Sequence, residues 1–247
     1  MRLKILGVNI DKISLPEVLD KISELIAGES QHLIVTINPE FIVEAQKNQG
    51  FAKALNSATI ATCDGAGLQW AARFLYGESI PRVTGVDLVQ ELLKSKAGDN
   101  KIFLLGGAEG VAAELRKKYP RNIVGAESGG RLNKVKESWI LEDHDNIIKR
   151  INDSDANIIL VAFGQVKQEN WIKDNLPLMP SAKVGIGIGG TFDYLTGKVK
   201  RPPAWMREAG LEWLYRLIVM PRRVGRIYNA TMKFTWMVLR EKFKKTK

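Results

Sequence analysis

Thr59-Ile60-Ala61-Thr62-Cys63-Asp64-Gly65-Ala66-Gly67-Leu68-Gln69 is the stretch on which the reading of this chain turns. Its first part, Ala58 to Cys63, is short, uncharged and β-compatible, and from Gly65 onward apolar residues recur at helical spacing. Asp64 therefore falls where a strand hands over to a helix. Open α/β sheets bind ligands outside the carboxyl ends of their strands, so a carboxylate at such a junction meets a substrate while flanking glycines allow close approach. Asp is equally a favoured helix N-cap, and the local sequence leaves both roles open.

The same alternation extends in both directions. Leu3 to Ile10 reads as a strand, a helix opens at Ser14-Leu15-Pro16-Glu17 and runs to Ala27, and His32 to Ile37 is the next strand. That strand ends in Thr36-Ile37-Asn38-Pro39-Glu40, which starts a helix and leaves Thr36 and Asn38 near the sheet's carboxyl edge. A helical turn near Phe51 to Asn56 leads into the Asp64 strand, whose following helix reaches Leu75. Arg82 is the charge presented by the loop Ile80 to Gly85, before a helix over Val86 to Ser95. Strands are expected at Lys101 to Leu105, Ile123 to Ala126, Asn157 to Phe163 and Lys183 to Ile188. Between them the pattern predicts helices ending at Tyr119 and Asn175 and a long one from Lys136 to Ile151. Strand and helix in regular alternation predict an α/β fold, a mostly parallel, Rossmann-like sheet with helices on both faces, over residues 1–197.

Composition narrows the function. At 247 residues with 45% hydrophobic and 26% charged content, the chain can bury a full core. It has no run of eighteen apolar residues, and Met1 to Asp11 lacks a signal-peptide pattern, so a cytoplasmic location is expected. Cys63 is the single cysteine, and with only His32 and His144 besides there is no Cys/His metal constellation. A buried hydrophobe is the better reading of Cys63 than a nucleophile, because no histidine lies nearby in sequence.

The net charge of +10 is uneven: residues 198–247 hold fourteen Lys and Arg against three Asp and Glu, whereas residues 1–197 hold 23 against 24. A polyanionic partner follows, either nucleic acid or anionic lipid. Beyond the basic joint Lys198 to Pro203 the chain predicts a C-terminal helical appendage, Ala204 to Val219 and Pro221 to Lys244. On a continuous helix Arg222, Arg226, Lys233, Arg240 and Lys244 form a stripe opposite Val224, Ile227, Tyr228, Thr231, Phe234, Trp236, Val238 and Leu239. That pattern suits a helix lying in a membrane interface; the alternative is an apolar face packed on the domain with a solvated basic stripe.

Glycines at Gly106-Gly107, Gly164 and Gly189-Gly190 each offer backbone N–H groups at a helix start, which suits a nucleotide or sugar nucleotide. Gly185-Ile186-Gly187-Ile188-Gly189-Gly190 spells a dinucleotide fingerprint, but its first two glycines fall inside a strand and the unit comes last rather than first. Asp143-His144-Asp145 and Asp153-Ser154-Asp155 spell the D-x-D that holds a metal in some glycosyltransferases. The first falls in a predicted helix and the second at the amino edge of the sheet, so no essential metal is expected. A nucleic-acid-binding α/β protein and a nicotinamide-dependent nucleotide-sugar enzyme stand as the alternatives from other classes.

A more specific likeness rests on several motifs in order. Thr36-Ile37-Asn38-Pro39-Glu40, Asp64-Gly65, Arg82-Val83-Thr84-Gly85, Phe103 to Gly107, Lys167-Gln168-Glu169-Asn170-Trp171, Gly189 to Gly197, Gly210 to Arg216 and Pro221-Arg222-Arg223 resemble the WecG/TagA/CpsF family of bacterial glycosyltransferases. The basic tail most resembles the TagA branch. The resemblance implies an inverting, metal-independent transfer of N-acetylmannosamine from its UDP donor to N-acetylglucosamine on undecaprenyl diphosphate, at the inner face of the cell membrane, with no cofactor and no nucleic-acid partner. It leaves oligomeric state open, homo-oligomer included. It further implies Asp64 as general base, Thr36, Asn38, Arg82 and Gln168 as polar groups of the active centre, and Gly106, Gly107, Gly189, Gly190, Thr191 and Asp193 near the donor. Arg216, Arg222, Arg223 and Arg226 are implied to close over the site or meet lipid phosphates. Two residues depart from the family pattern, Cys63 and Val166, each where proline is usual.

Overall fold

The computed structural model describes residues 1–95, 100–135, 138–219 and 221–245, without the side chains of Arg223 and Lys245. It begins with an antiparallel hairpin, β1 (Arg2–Ile5) and β2 (Val8–Asp11), where the sequence predicted one strand. Leu6 and Gly7 take φ of 47° and 85°, the two-residue reversal whose twist suits paired strands. The hairpin sits beside the edge of the main sheet: Asp11 Oδ2 accepts from Ala61 N at 2.8 Å, and Arg2 donates to the Ala58 and Thr59 carbonyls at 3.0 and 2.6 Å.

Next come α1 (Leu15–Ala27), β3 (His32–Ile37), α2 (Pro39–Ala45), α3 (Gln49–Asn56), β4 (Ile60–Cys63), α4 (Ala66–Tyr76), α5 (Gly85–Lys94), β5 (Ile102–Gly106), α6 (Val111–Lys118) and β6 (Ile123–Glu127). The long helix predicted over 136–151 is corrected. A second hairpin, β7 (Leu132–Val135) with β8 (Ser138–Leu141), takes its first half, and only α7 (His144–Asp153) is helical; residues 136 and 137 lie outside the described residues. The helix-forming charges of this stretch hid a period of two: Leu132 pairs with Leu141 and Lys134 with Trp139, and Leu132, Trp139 and Leu141 pack on the core. Then come β9 (Ile158–Ala162), α8 (Lys167–Asn175), β10 (Val184–Gly187) and α9 (Thr191–Leu195).

Six strands form a wholly parallel sheet in the order β4-β3-β10-β9-β5-β6. Alternation of side chains splits the core in two. Val35, Ile37, Cys63, Leu105 and Val161 face residues of α2, α3, α4 and α8, whereas Ile34, Ile60, Leu104, Leu160 and Ile186 face α1, α5, α6 and α9. From β9 the chain crosses by α8 to β10 on one face, and from β5 it crosses by α6 to β6 on the other. Such a reversal opens a crevice at the carboxyl edge between the two strands. Helix α8 lies unusually close to β10, since a Cβ on Gly185 would stand 2.4 Å from Ile172 and one on Gly187 2.8 Å from Gln168. The glycine-rich run is therefore a helix-on-strand contact, with its first two glycines inside β10 as the sequence predicted.

The tail is less continuous than its sequence suggested. It comprises α10 (Ala204–Glu208), α11 (Glu212–Val219), a 3₁₀ turn at Pro221–Arg223, α12 (Val224–Tyr228), a π turn at Asn229–Lys233 and α13 (Phe234–Lys245). Gly210 makes the break between α10 and α11 with φ of 72°, and a Cβ there would stand 2.7 Å from the Ala66 side chain, so the tail presses on the start of α4. Phe234 and Val238 are buried in the same core as α2 and α4, and Arg226 makes a two-pronged bond to Glu40 at 2.7 and 3.0 Å. The π turn shifts the helical phase and splits the single apolar face the sequence suggested. Ile227, Phe234 and Val238 point inward, while Val224, Tyr228, Met232, Trp236 and Phe243 face outward, Trp236 being 58% exposed and Phe243 67%. Among the described residues no helix is long and apolar enough to cross a membrane.

Candidate active site

Asp64 stands one residue beyond β4 at the carboxyl edge, its N–H bonded to the Ile37 carbonyl at 2.6 Å. The helix-cap reading does not describe it: Gly65 occupies the N-cap of α4, without a side-chain bond to the helix. The Asp64 carboxylate reaches instead to the first turn of α5, where Gly85 N donates to Oδ2 at 3.4 Å. Burial pushes its pKa up to about 6, Glu212 adds to the rise, and Arg216, the Gly85 N–H and Arg82 oppose it. A carboxylic acid held near 6 suits proton uptake at neutral pH.

Three charged groups gather around this carboxyl. Arg82 donates to the Arg207 carbonyl at 2.7 Å and pairs with Glu212 at 3.4 Å. Arg216, one turn along α11, pairs with the same Glu212 at 3.5 Å and is hydrogen-bonded to Tyr194. The Arg216 Nε is buried with no hydrogen-bond partner. An orphaned buried N–H on a cation is an available donor for an anionic ligand oxygen. The first turn of α5, just beyond the loop that carries Arg82, is fastened to the tail by Arg201 on Asp87 at 2.9 Å, which with the Thr84 bond holds the Asp87 pKa down against its burial.

Thr36 and Thr191 join the group through Gly85, because a Cβ on Gly85 would lie 3.3 Å from each hydroxyl. Thr191 Oγ1 donates to the Ile188 carbonyl at 2.7 Å. Asn38 caps α2, accepting from Phe41 N at 3.1 Å, and the following Pro39 packs so tightly on α4 that a Cβ on Gly67 would meet it at 2.8 Å. The structure thus brings Asp64, Arg82, Thr36, Thr191 and Arg216 to one place, with Asn38 at the adjoining strand end.

Gln168 lies differently. It is 1% exposed, and its Oε1 accepts from Gly164 N at 3.1 Å and Gly189 N at 3.0 Å, tying the loops after β9 and β10 together. Its Nε2 donates to Glu169 Oε1 at 2.7 Å, and Glu169 Oε2 accepts from Val166 N at 2.8 Å. Burial pushes Glu169 up to about 7. Val166 holds φ of 73°, a conformation closed to proline. Gly106 ends β5 hard against the Ala162 carbonyl, Gly107 N donates to that carbonyl at 3.1 Å, and Gly189 and Gly190 lead into α9. Asp193 is partly buried on α9, one residue before the Tyr194 that meets Arg216.

Of the tail arginines, Arg216 acts on the Asp64 charge while paired with Glu212, Arg226 is engaged by Glu40, Arg222 is exposed in the 3₁₀ turn, and the Arg223 side chain lies outside the described residues. Cys63 is buried, and desolvation pushes its thiol far up, away from any nucleophilic state. Asp145 lies within α7, and Asp153 and Asp155 precede β9 at the amino edge, remote from Asp64 in the sheet. Glu212, Tyr194 and Glu169 went unassigned in the sequence. The Glu212–Arg216 spacing of four on an expected helix was the available signal for the first.

The parallel sheet carries at its carboxyl edge a carboxylate of raised pKa with two arginines near it, and the class of protein is a glycosyltransferase. The chain belongs to the Glycosyl transferase WecG/TagA/CpsF family, whose profile matches residues 3–247. It is similar to the N-acetylglucosaminyldiphosphoundecaprenol N-acetyl-beta-D-mannosaminyltransferase of Staphylococcus aureus strain MRSA252, with 32% identity over 250 residues, 98% of this chain and 94% of that protein. The protein of the same description from S. aureus strain NCTC 8325 / PS 47 is 31% identical over the same shares.

Proposed function

We propose that this glycosyltransferase moves N-acetylmannosamine from UDP-N-acetylmannosamine to N-acetylglucosamine carried on undecaprenyl diphosphate, as the names of its relatives describe for them. The observation that carries the reading is Asp64, a carboxylate with its pKa raised to about 6, beside two arginines at the open edge of the sheet. In one displacement Asp64 takes the proton of the acceptor hydroxyl, the oxygen forms a bond to the anomeric carbon, and the bond from that carbon to the diphosphate breaks with inversion. UDP leaves with the bonding pair. Its charge is met by Arg82, Arg216 and the α5 amino end, so the reading gives a metal no role.

The reading places the enzyme on the cytoplasmic face of the membrane, held by the basic tail and the apolar residues it exposes, Trp213, Ile218, Val224 and Trp236 among them. It keeps residues 1–197 as the catalytic unit and the remainder as an appendage that also completes the site through Arg216. Release of UDP, measured with a panel of UDP-sugars and a short-chain N-acetylglucosamine lipid diphosphate, tests the donor and acceptor together. Turnover is expected with UDP-N-acetylmannosamine at ten times or more the rate of UDP-glucose or UDP-N-acetylmannosaminuronic acid, a ratio equivalent to about 1.4 kcal/mol. Faster turnover of another sugar would keep the chemistry and replace the donor.

A further inference from the structure

We propose that Glu212 is a positioning residue for sugar transfer: its carboxylate engages the Arg82 and Arg216 guanidiniums and so keeps both from closing on the Asp64 carboxylate. The inference rests on the reading of Asp64 as the base and adds to it a residue that keeps the base free.

The geometry is a divided one. Two cations from different elements, Arg82 in the loop before α5 and Arg216 on α11, flank one catalytic carboxylate. Among the described residues, their ion pairs go to Glu212, at 3.4 and 3.5 Å, and neither goes to Asp64. Arg82 is further held by the Arg207 carbonyl, and Arg216 by Tyr194. Without Glu212, each guanidinium keeps its second anchor but loses the anion that draws it away from Asp64. A carboxylate paired with arginine is a weak base, since an adjacent cation lowers its pKa by about 1–3 units. Among the described residues, the groups that act on the Asp64 charge are Arg216 and Glu212 from α11, Arg82 and the Gly85 N–H from the α5 side, and the neutral Cys63 thiol on its own strand. Glu212 is the one anion among them. Its position between two arginines also makes it the group that an incoming diphosphate must displace or share.

The test is Glu212→Gln in the full-length enzyme, assayed by UDP release from UDP-N-acetylmannosamine across pH. The acidic limb of kcat/KM is expected to move down by about one pH unit or more as both arginines turn to Asp64. At neutral pH kcat should fall about tenfold, while KM for the donor falls or holds, because a competing anion has left the arginines. Glu212→Asp, which keeps the charge, should return the limb toward the parent position. A purely structural Glu212 would lower kcat without moving the limb, and an unmoved limb overturns the proposal. If Glu212→Gln were too slow to assay, the Asp64 carboxyl titration followed by carbon NMR in the same variant supplies the shift, and an unshifted titration is equally decisive against it. Asp64→Asn separates the two claims. Retained turnover in that variant overturns the base assignment itself, whereas an inactive Asp64→Asn with an unmoved Glu212→Gln limb overturns the role of Glu212 alone.

Discussion

Asp64→Asn is expected to lose turnover by about a thousandfold or more while the protein becomes more stable at neutral pH, because general-base catalysis is worth about 10²–10⁴ in rate. The two effects have one cause. Burial raises the Asp64 pKa from the usual 3.8 to about 6, so the folded protein binds a proton more readily than the unfolded chain. With the folded value above the unfolded one, stability rises as pH falls through 6 toward 3.8 and is lowered at pH 7, where the side chain is charged in both states. Asn carries no such charge. Its gain is therefore present at pH 7 and above, about 1–3 kcal/mol for a partly buried group, and vanishes below about pH 4. Denaturant unfolding of both proteins at pH 7.5 and pH 4 measures the gain, and UDP release measures the loss. A variant that is inactive and also less stable at pH 7.5 would point to a structural role for the carboxylate.

The second large effect concerns the tail. Replacing Trp213 and Trp236 together by Ser should lower binding to vesicles of anionic phospholipid by about a hundredfold, each partly exposed indole contributing about 1.5 kcal/mol when it leaves water. Both side chains face outward, Trp213 at 41% exposure and Trp236 at 58%, and Arg240 lies over the Trp236 ring at 5.4 Å. Neither belongs to the buried core, so the thermal transition should not move. Turnover of a short-chain acceptor in solution should also be unchanged, which separates anchoring from catalysis. Co-sedimentation with anionic and with neutral vesicles reads the result; undiminished binding of the double variant would place the membrane surface elsewhere.

Much of this architecture was legible because local preference and tertiary environment agree. Buried parallel strands such as His32 to Ile37 are uncharged runs bounded by turn and cap residues, and Asn38-Pro39 announces a helix start that the structure fills with a capping bond. Legibility failed where a short-range feature overrode a pattern. Leu6 adopts a left-handed backbone that an aliphatic residue seldom takes, so the first hairpin looked like one strand. In the second, charges typical of helices lie on a strand pair whose apolar side is only Leu132, Trp139 and Leu141. The π turn at Asn229–Lys233 rotates the end of the chain, and no arithmetic at 100° per residue anticipates it.

For the site, the strand-end rule found Asp64, but part of the group around it, Thr191, Glu212 and Arg216, comes from residues about 120 or more positions distant. Arg82 reaches Glu212, and Asp64 feels Arg216, where the tail turns at Gly210 against Ala66 at the start of α4. Gln168 was singled out through the family resemblance as a polar group of the active centre, yet not as the bond that joins Gly164 to Gly189. A pairwise contact of that kind is set by the separation of β9 and β10, which the order of the strands in the sheet determines and the linear sequence does not.

The most direct test of the account is the pH dependence of kcat/KM for sugar transfer by the unaltered protein at saturating lipid acceptor. A single carboxylate base with a pKa of about 6 predicts a fall of tenfold per pH unit below that value and a plateau above it. A rate that stays level down to pH 4.5, while the protein remains folded, would contradict the assignment of Asp64 as the group that takes the proton.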